Sequence, residues 1–350
     1  MAYTTVNKSS SIFNTKIYTG TGSTRSITGV GFQPDLVWIK KRAGGTATSH
    51  TLTDSVRGLN KQIFTDDTAA EESYTSVLTA FNSDGFGLST AGLINNNTST
   101  YVAWNWKAGT SVSGNTSGSG TYKAYTGSVN TTAGFSIINY LGNGSAGHSI
   151  PHHLGVTPEI IITKRRSNTG HWYVYSPVMG NTKHMRLDNN GAEDTANTIW
   201  NNTSPTSSVF TVGTNGDVNG NNNPIIAYSF NSVQGYSKFG LYKGNGNANG
   251  TFIYTGFKPA FVIMKKLNGA DGWLMKDTTR ITYNLNNIRL YPDQSGLEST
   301  SANSAIDMLS NGFKQRSSDN MVNASSGSYL YMAFAEAPLV GSNNIPCTAR

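Results

Sequence analysis

The chain contains one phrase three times, and this internal repeat constrains the fold more than any other feature of the sequence. Each copy has a turn with proline, then a mostly apolar run, then basic residues: GFQPDLVWIKK at 31–41, GVTPEIIITKR at 155–165 and GFKPAFVIMKK at 256–266. Proline cannot donate to a β-ladder and suits the first position of a strand. Pro34, Pro158 and Pro259 therefore predict the starts of three equivalent strands.

Four further landmarks recur in the same order around the prolines. They are an aromatic–glycine turn, an acidic turn, a phenylalanine, and an alanine within an aromatic closing strand: Tyr18, Tyr140 and Tyr242; Glu71, Glu193 and Glu298; Phe86, Phe210 and Phe313; Ala103, Ala227 and Ala333. The proline follows the tyrosine by 16, 18 and 17 residues, and the alanine follows the proline by 69, 69 and 74 residues. Such regular spacing indicates three copies of one unit.

These landmarks place the units at residues 12–109, 134–234 and 238–340. About 100 residues of short strands is the size of a single β-sandwich. The closing strands alternate apolar with small or polar residues, as a sheet with one buried face does. We therefore predict an all-β fold of three tandem β-sandwich repeats.

The segments between the units differ in composition. Residues 110–133 are interpreted as a linker and lead-in, and the Gly/Ser/Thr-rich stretch 108–121 is predicted to be flexible. The second and third units have almost no linker, so we expect them to pack rigidly while the first is freer. Residues 341–350 are interpreted as a C-terminal tail.

Composition supports this fold class and limits others. Charged residues make up 13% of the chain, about half the usual globular share. The formal net charge of +7 favours acidic partners without selecting among nucleic acid, glycan and membrane surface. No apolar run reaches the roughly 18–20 residues of a membrane helix, and the start lacks a secretory signal. The single cysteine, Cys347, excludes an internal disulfide framework and a cysteine-based zinc site.

Catalytic motifs are missing from the sequence. It contains no nucleophile elbow, no H-E-x-x-H helix and no phosphate-binding P-loop. The pattern G-x-G-x-x-G occurs at 142–147, but Pro151 follows too closely for the helix that a dinucleotide site requires, so a hairpin turn is predicted. Two distant carboxylates could still form a glycosidase pair, which leaves a glycan depolymerase as an alternative. We predict no enzyme, no catalytic residue and no bound cofactor.

Four residues are weak candidates for ligand binding: His148, His152 and His153 in the second unit, and Tyr291 in the third. Pro151 and the strand context remove the helical spacing that would bring two of the histidines to one face. The cluster therefore predicts a turn that carries imidazoles, with a metal site as the alternative.

Three loops have no counterpart in the other units: residues 148–153, 215–223 and 291–295. Loops on a rigid scaffold concentrate binding residues. We expect these three to carry binding, because nothing in the repeat assigns them a structural role.

Basic residues end each proline-led strand, with Lys40, Lys164 and Lys265 first in each group. Charge at a strand end prevents edge-to-edge aggregation and solvates the turn. We favour this interpretation over three basic edges aligned against a polyanion.

Trp172 and Trp273 each lie 14 residues after their proline, where the first unit has Thr48. A recurring tryptophan indicates a core position more than an exposed platform for sugar stacking. Trp104 and Trp106 in the first closing strand are expected to be buried as well.

Several phrases resemble a family of structural proteins of tailed bacteriophages, abundant among marine phages. They are FNTKIYTG at 13–20, GFQPDLVWIK at 31–40, YVAWNWKAG at 101–109, YSKFG at 236–240, GFKPAFV at 256–262 and YMAFAE at 331–336. The resemblance implies a virion component that is tail-fibre-like, with a lectin-like jelly-roll sandwich. It supplies no catalytic residues.

On this resemblance we expect a virion protein assembled in the host cytoplasm, most simply a tail fibre or appendage that binds a receptor or glycan of the host surface. A surface rich in Tyr, Asn, Ser and Gly suits adaptable contacts. The alternative is a capsid decoration or head-fibre protein, which the absence of a heptad or β-helix period favours. Expected partners are other virion proteins and further copies of the chain, as a trimer. Neither a membrane nor a specific nucleic acid is expected.

Overall fold

A computed structural model of the protein describes residues 4–74 and 77–338. Strands account for 44% and helices for 7% of it, and each described helix has at most four residues. The prediction of an all-β protein is therefore confirmed at the level of class.

The first repeat forms a six-stranded sheet in the order β1-β9-β3-β4-β5-β6 and a three-stranded sheet in the order β2-β8-β7. A 3-10 turn at Ser9–Ser11 precedes them, and a single helical turn lies before the closing strand. The elements are β1 (Phe13–Thr19), β2 (Arg25–Ile27), β3 (Leu36–Ala43), β4 (Thr51–Asp54), β5 (Lys61–Phe64), β6 (Glu72–Ser73), β7 (Leu78–Asn82), β8 (Gly85–Leu88), α1 (Gly92–Asn95) and β9 (Thr100–Trp106).

The second repeat forms an eight-stranded sheet in the order β10-β12-β13-β20-β15-β16-β17-β18 and a three-stranded sheet in the order β11-β14-β19. The elements are β10 (Thr110–Asn115), β11 (Ser117–Gly118), β12 (Ala124–Asn130), β13 (Phe135–Leu141), β14 (His148–Pro151), β15 (Ile160–Arg165), β16 (Trp172–Tyr175), β17 (Lys183–Arg186), β18 (Asp194–Thr195), α2 (Asn197–Trp200), β19 (Val209–Val212), α3 (Gly216–Asn219) and β20 (Pro224–Phe230).

The third repeat forms a four-stranded sheet in the order β21-β29-β23-β24, a three-stranded sheet in the order β22-β28-β27, and a two-stranded β25-β26 pair. A 3-10 turn spans Ala302–Ser304. The elements are β21 (Ser237–Lys243), β22 (Phe252–Tyr254), β23 (Phe257–Lys266), β24 (Leu274–Asp277), β25 (Ile288–Arg289), β26 (Ser299–Thr300), β27 (Ile306–Leu309), β28 (Gly312–Gln315), α4 (Asn320–Asn323) and β29 (Ser328–Pro338).

The three repeats share one arrangement of their central strands. In each, an opening strand (β1, β13, β21) pairs with a closing strand (β9, β20, β29), which pairs with the proline-led strand (β3, β15, β23). We call the sheet containing these strands the large sheet, and the three-stranded sheet of each repeat the small sheet. Gly85 and Gly312 begin the second strands of two hairpins, β7–β8 and β27–β28.

Two details of the third repeat differ from the prediction. Lys40, Lys164 and Lys265 lie opposite Val102, Ile226 and Leu330. This register makes Tyr331, rather than Ala333, the equivalent of Ala103 and Ala227. In addition, Pro259 lies within β23, at a register irregularity between Lys258 and Phe261, whereas Pro34 and Pro158 precede their strands.

Each large sheet is buried on both faces. One face packs against the small sheet of the same repeat around a separate apolar cluster. The opposite faces of all three large sheets meet in one shared core. In that core the ring of Phe334 lies 5.2 Å from that of Phe13 and 5.9 Å from that of Phe230, and Trp106 lies 6.5 Å from Phe230. The three repeats therefore share one core, and the prediction of a freer first unit is wrong.

The stretch predicted to be a flexible linker is also ordered. Residues 110–115 form β10, which pairs with β12 and places Ser111 opposite Ser128, and β11 pairs with β14. Alternating Ser and Val residues carry a ladder as well as any polar strand does, because the backbone supplies its hydrogen bonds. The predicted C-terminal tail, 341–350, and Cys347 lie outside the described residues.

Because one core joins the repeats, we expect the chain to unfold in a single transition. Phe261 contacts Phe13, Trp104 and Phe334 at ring distances of 5.7, 5.4 and 6.2 Å, so Phe261→Ala should cost about 3–5 kcal/mol. Calorimetry should give equal calorimetric and van't Hoff enthalpies for the natural chain and this variant. Phe252→Ala, on an exposed ring, is the matched control and should change stability by less than about 0.5 kcal/mol. Separate transitions for separate repeats would contradict the shared core.

Candidate functional site

The basic residues that end the proline-led strands are buried. The side chains of Lys40, Lys164 and Lys265 are 0% exposed. Lys164 Nζ donates to the carbonyl oxygens of Gly170 in its own repeat at 2.8 Å and Thr68 in the first repeat at 2.9 Å. Both sequence interpretations, a solvated strand end and a polyanion-binding edge, are wrong for these three lysines.

The three lysines close a ring of contacts. Lys40 Nζ donates to Ser295 O of the third repeat at 2.6 Å, and Lys265 Nζ donates to Gly191 O of the second at 2.8 Å. With the bond from Lys164 to Thr68, the first repeat binds the third, the second binds the first and the third binds the second. Burial lowers the pKa of each ammonium to about 8.

The recurring tryptophans repeat this cyclic pattern. Trp172 Nε1 donates to Phe64 O of the first repeat at 2.8 Å, and Trp273 Nε1 donates to Arg186 O of the second at 2.9 Å. Both rings are buried in the shared core. The prediction of a core position is confirmed, and the indole nitrogen adds a contact between repeats.

The first repeat has a histidine at this position. Because Ile39 pairs with Thr51, His50 lies across from Lys40 as Trp172 lies across from Lys164. The equivalent residue is thus His50 and not Thr48, since the connecting loop is two residues longer. Trp38 Nε1 donates to His50 Nδ1 at 3.0 Å. Burial, then Lys40 and Arg280, lower the pKa of His50, and the backbone of Tyr291 opposes them.

Ion pairs stabilise two of the three interfaces. Between the first and second repeats, Arg57 Nε lies 2.5 Å from Asp54 Oδ2, and Arg57 Nη1 lies 3.0 Å from Glu71 Oε2. From the second repeat, Tyr228 donates to Asp54 Oδ2 at 2.7 Å and Arg166 pairs with Glu71 at 2.7 Å. Burial acts to raise the pKa of Glu71, but Arg166 and Arg57 together hold it below its usual value.

The interface between the third and first repeats contains the same network. Arg280 pairs with Asp277 at 2.5 Å and with Glu298 at 2.9 Å. From the first repeat, Trp104 Nε1 donates to Asp277 Oδ2 at 3.2 Å and Arg42 pairs with Glu298 at 2.8 Å. Two of the acidic-turn landmarks, Glu71 and Glu298, therefore form ion pairs with an arginine of the neighbouring repeat.

The interface between the second and third repeats has lost this network as a whole. By register and spacing, Ser176 and Met179 replace the aspartate and arginine, Met332 replaces the aromatic donor and Leu267 replaces the neighbour's arginine. The backbone contact persists, since Glu193 N still donates to Leu267 O at 2.8 Å, while the Glu193 side chain pairs with Lys183 in its own repeat. Removing one member of a buried ionic set leaves an unpaired charge, whereas removing all members leaves none.

A recurring asparagine ends the helical turn before each closing strand, and the sequence reading missed it. Asn95 accepts from Thr21 N at 3.0 Å, and Asn219 and Asn323 accept from Asn143 N and Asn245 N at 2.9 and 3.0 Å. Each therefore anchors the aromatic–glycine turn of its repeat. The signal in the sequence is an Ile-Asn or Val-Asn pair before each closing strand.

Two of the predicted ligand-binding histidines make internal hydrogen bonds with both ring nitrogens. His148 pairs with Asn219 at 2.8 Å and with Thr116 at 2.6 Å. His152 pairs with Thr206 O at 3.1 Å and accepts from Leu154 N at 3.2 Å. Both are 0% exposed, and burial lowers the pKa of His152 to about 4.

The other two candidates are more accessible. His153 is exposed, with Nε2 2.7 Å from the Tyr125 hydroxyl. Tyr291 is half-buried beneath the Arg289 guanidinium, 5.4 Å from its ring centre. Ligand binding by these four residues stays a prediction, and the structure does not bring Tyr291 to the histidine cluster.

The three loops expected to lack a structural role do have one. The 215–223 loop holds Asn219, and the 291–295 loop offers Pro292 O to Thr65 Oγ1 at 2.7 Å in addition to Ser295 O. The segment 148–153 is not a loop throughout, since His148–Pro151 form β14 and only residues 152–153 lie beyond that strand. The premise that these three segments lack a structural role is therefore wrong. Their equivalence to segments of the other repeats is not evident from the sequence, because the residue types at equivalent positions differ.

An open groove of 600 Å³ lies where the first repeat meets β10 and β12. Hydroxyl and amide groups line most of it: Gln33, Ser55, Ser111, Ser113, Thr126 and Ser128. Asp35 lies beneath, with its carboxylate accepting from Ala108 N at 2.9 Å and Ser55 Oγ at 2.7 Å.

Within residues 4–74 and 77–338, no three His, Cys, Asp or Glu side chains cluster as a metal site. Within the same residues, no helix is long and apolar enough to cross a membrane.

Comparison with known proteins identifies the family of this chain. Residues 8–338 match the protein family described as a domain of unknown function, DUF7483. The chain belongs to this family. No curated protein and no solved structure shows significant similarity to it.

The buried lysines of this DUF7483 chain give a pH dependence of defined sign. Their pKa is about 8 when folded and about 10.4 when unfolded. Between these values the unfolded chain binds more protons, so stability rises with pH. Urea unfolding should show a higher free energy at about pH 9.5 than at about pH 7.5. Lys164→Met should reduce the rise, and a stability that falls across this range would contradict the assignment.

The interfaces of the DUF7483 scaffold predict a rescue by combined substitution. Asp54→Ser leaves the buried Arg57 with Glu71 as its one remaining carboxylate partner and should cost about 3–5 kcal/mol. The combined D54S, R57M, R166L and Y228M variant copies the interface of the second and third repeats. Lys61 is equivalent to Lys183, so it can pair with Glu71 as Lys183 pairs with Glu193. We expect it to regain most of the lost stability in urea unfolding. Additive losses from the four changes would contradict the equivalence of the interfaces.

Proposed function

We propose that the protein is a structural component of a tailed-bacteriophage virion, and that it acts as a tail fibre or appendage that contacts the host cell surface. The phrases shared with tailed-phage structural proteins support the virion assignment. We also propose that the two-sheet unit is a variant of the lectin-like jelly roll.

One structural observation carries the non-enzymatic part of the proposal. The recurring polar residues of the described chain, including the lysines, acidic turns and asparagines, hold repeats and turns together. They are therefore unavailable as a catalytic set, and the side chains that remain for function are on the outer surface. Such a division fits a binding or assembly module.

The groove beside β10 supports contact with a polar ligand such as a glycan. Its hydroxyl groups can exchange hydrogen bonds with sugars, and its position between two repeats on one core keeps it preorganised.

Capsid decoration is the second candidate function, and the closed ring of repeats favours it. A single chain whose three equivalent units bind in cyclic order can match a three-fold axis of a larger assembly without forming a trimer itself. The proposed trimer of chains and the decoration role therefore make different predictions for stoichiometry.

Localisation on the virion and competition for host cells test the proposal together. An antibody against the chain should label tails by immunogold electron microscopy, and the purified chain should reduce adsorption of the parent phage to its host. Label on the capsid without competition would support decoration. If virions carry no label, the virion assignment is wrong.

A further inference from the structure

The small sheet of the third repeat exposes two aromatic rings side by side. On β22, Phe252 and Tyr254 are 43% and 55% exposed, while Ile253 between them is buried. Residues two apart on a strand project from the same face, with Cα atoms about 6.6 Å apart. The two rings thus form a continuous exposed surface, which we call the aromatic platform.

The other two repeats show that the scaffold does not need these rings. The register places Ile27, Ile150 and Ile253 opposite Phe86, Phe210 and Phe313, so the three isoleucines are equivalent. The residues flanking the isoleucine are Ser26 and Thr28 in the first repeat and Ser149 and Pro151 in the second.

Two lysines flank the platform. Lys238 Nζ lies 5.3 Å from the centre of the Tyr254 ring, and Lys314 lies directly across from Phe252 on β28. No ion pair to either lysine is present among the described residues. The nearby carboxylate of Asp307 pairs with Arg316 at 3.2 Å.

These lysines too are specific to the third repeat. By the same registers, Lys238 is equivalent to Asn14 and Ser136, and Lys314 to Gly87 and Thr211. The four equivalent positions are therefore uncharged and non-aromatic in two repeats, and aromatic or basic in the third.

We propose that the platform binds an anionic saccharide, such as a uronic-acid-containing polymer of a bacterial surface. This inference rests on the proposed function and identifies the ligand class. Aromatic faces carry negative charge density that attracts the C–H groups of a sugar ring, and the two ammonium groups can pair with its carboxylates. Two rings and two amines match one or two sugar residues, whereas a stable protein interface needs about 800 Å² on each partner.

Single-stranded nucleic acid also stacks on aromatic rings beside basic residues. The platform has two lysines, and Asp307 lies directly across from one of them, Lys314, so it offers no extended basic track along a phosphate backbone. The saccharide is therefore the better match.

Binding by the full chain to polygalacturonate oligomers tests the proposal by calorimetry, with dextran oligomers as the neutral probe and oligo-dT as the nucleic-acid probe. The chain should bind polygalacturonate more tightly than either other probe. The variant F252S, Y254T takes the residues of the first repeat, so it should fold normally and lose at least ten-fold in affinity. The variant K238S, K314T takes those of the second repeat and should lose affinity together with its salt dependence.

Tyr122→Ser removes a ring that is 60% exposed outside the platform and should leave the affinity unchanged. Thermal melting checks the folding of each variant, and the lysine pair serves if the aromatic pair misfolds. Absence of binding by the natural chain, equal binding by the folded platform variants, or tighter binding of oligo-dT would overturn the proposal. If the natural chain competes for phage adsorption and the F252S, Y254T variant competes equally, the platform inference fails while the proposed function stands. If polygalacturonate binding depends on the platform but adsorption is unaffected by the chain, the receptor role fails and the platform stands.

Discussion

Burial of the three large sheets on both faces is the constraint on which the rest of the structure depends. A sheet with one solvent-exposed face can be stable within a single repeat. In these sheets the second face is buried in a core to which all three repeats contribute. The polar groups that enter this core must find partners, because an unpaired buried charge costs several kcal/mol. The ring of lysine–carbonyl bonds meets that requirement, since each ammonium binds backbone oxygens of a neighbour.

The ionic networks show how such a ring tolerates divergence. Two interfaces retain the aspartate, two arginines and glutamate, and the third has exchanged all but the glutamate for uncharged residues. Exchange of the aspartate alone would leave Arg57 or its equivalent buried with one carboxylate partner in place of two, which favours a change of the whole set. The repeats are thus equivalent in geometry without being equivalent in chemistry, which leaves their outer surfaces free to differ.

Those outer surfaces separate scaffold from candidate function. Comparison of the three repeats within one chain replaces a comparison among homologues: a residue present at all equivalent positions serves the fold, and one present in a single repeat is free for another role. On this criterion Asn219 belongs to the scaffold, because Asn95 and Asn323 occupy the equivalent positions, whereas Phe252 and Tyr254 do not. The candidate site moves from the loops that sequence spacing favoured to a sheet face that spacing gave no reason to inspect.

The amino-acid sequence by itself determined the all-β class, the three units and the turn and strand landmarks, because these depend on local patterns that recur at nearly constant spacing. It did not determine that the units share one core, that residues 110–115 form a strand, or that Lys40 and its equivalents are buried. Each of these depends on which residues of a neighbouring repeat lie against the segment. A basic side chain is predicted from sequence to be exposed, because the local pattern does not show the carbonyl oxygens of another repeat that accept its hydrogen bonds. His50 is the clearest example. Its equivalence to Trp172 is evident only from the strand register of the folded sheets, because two additional residues in the preceding loop shift its position along the chain.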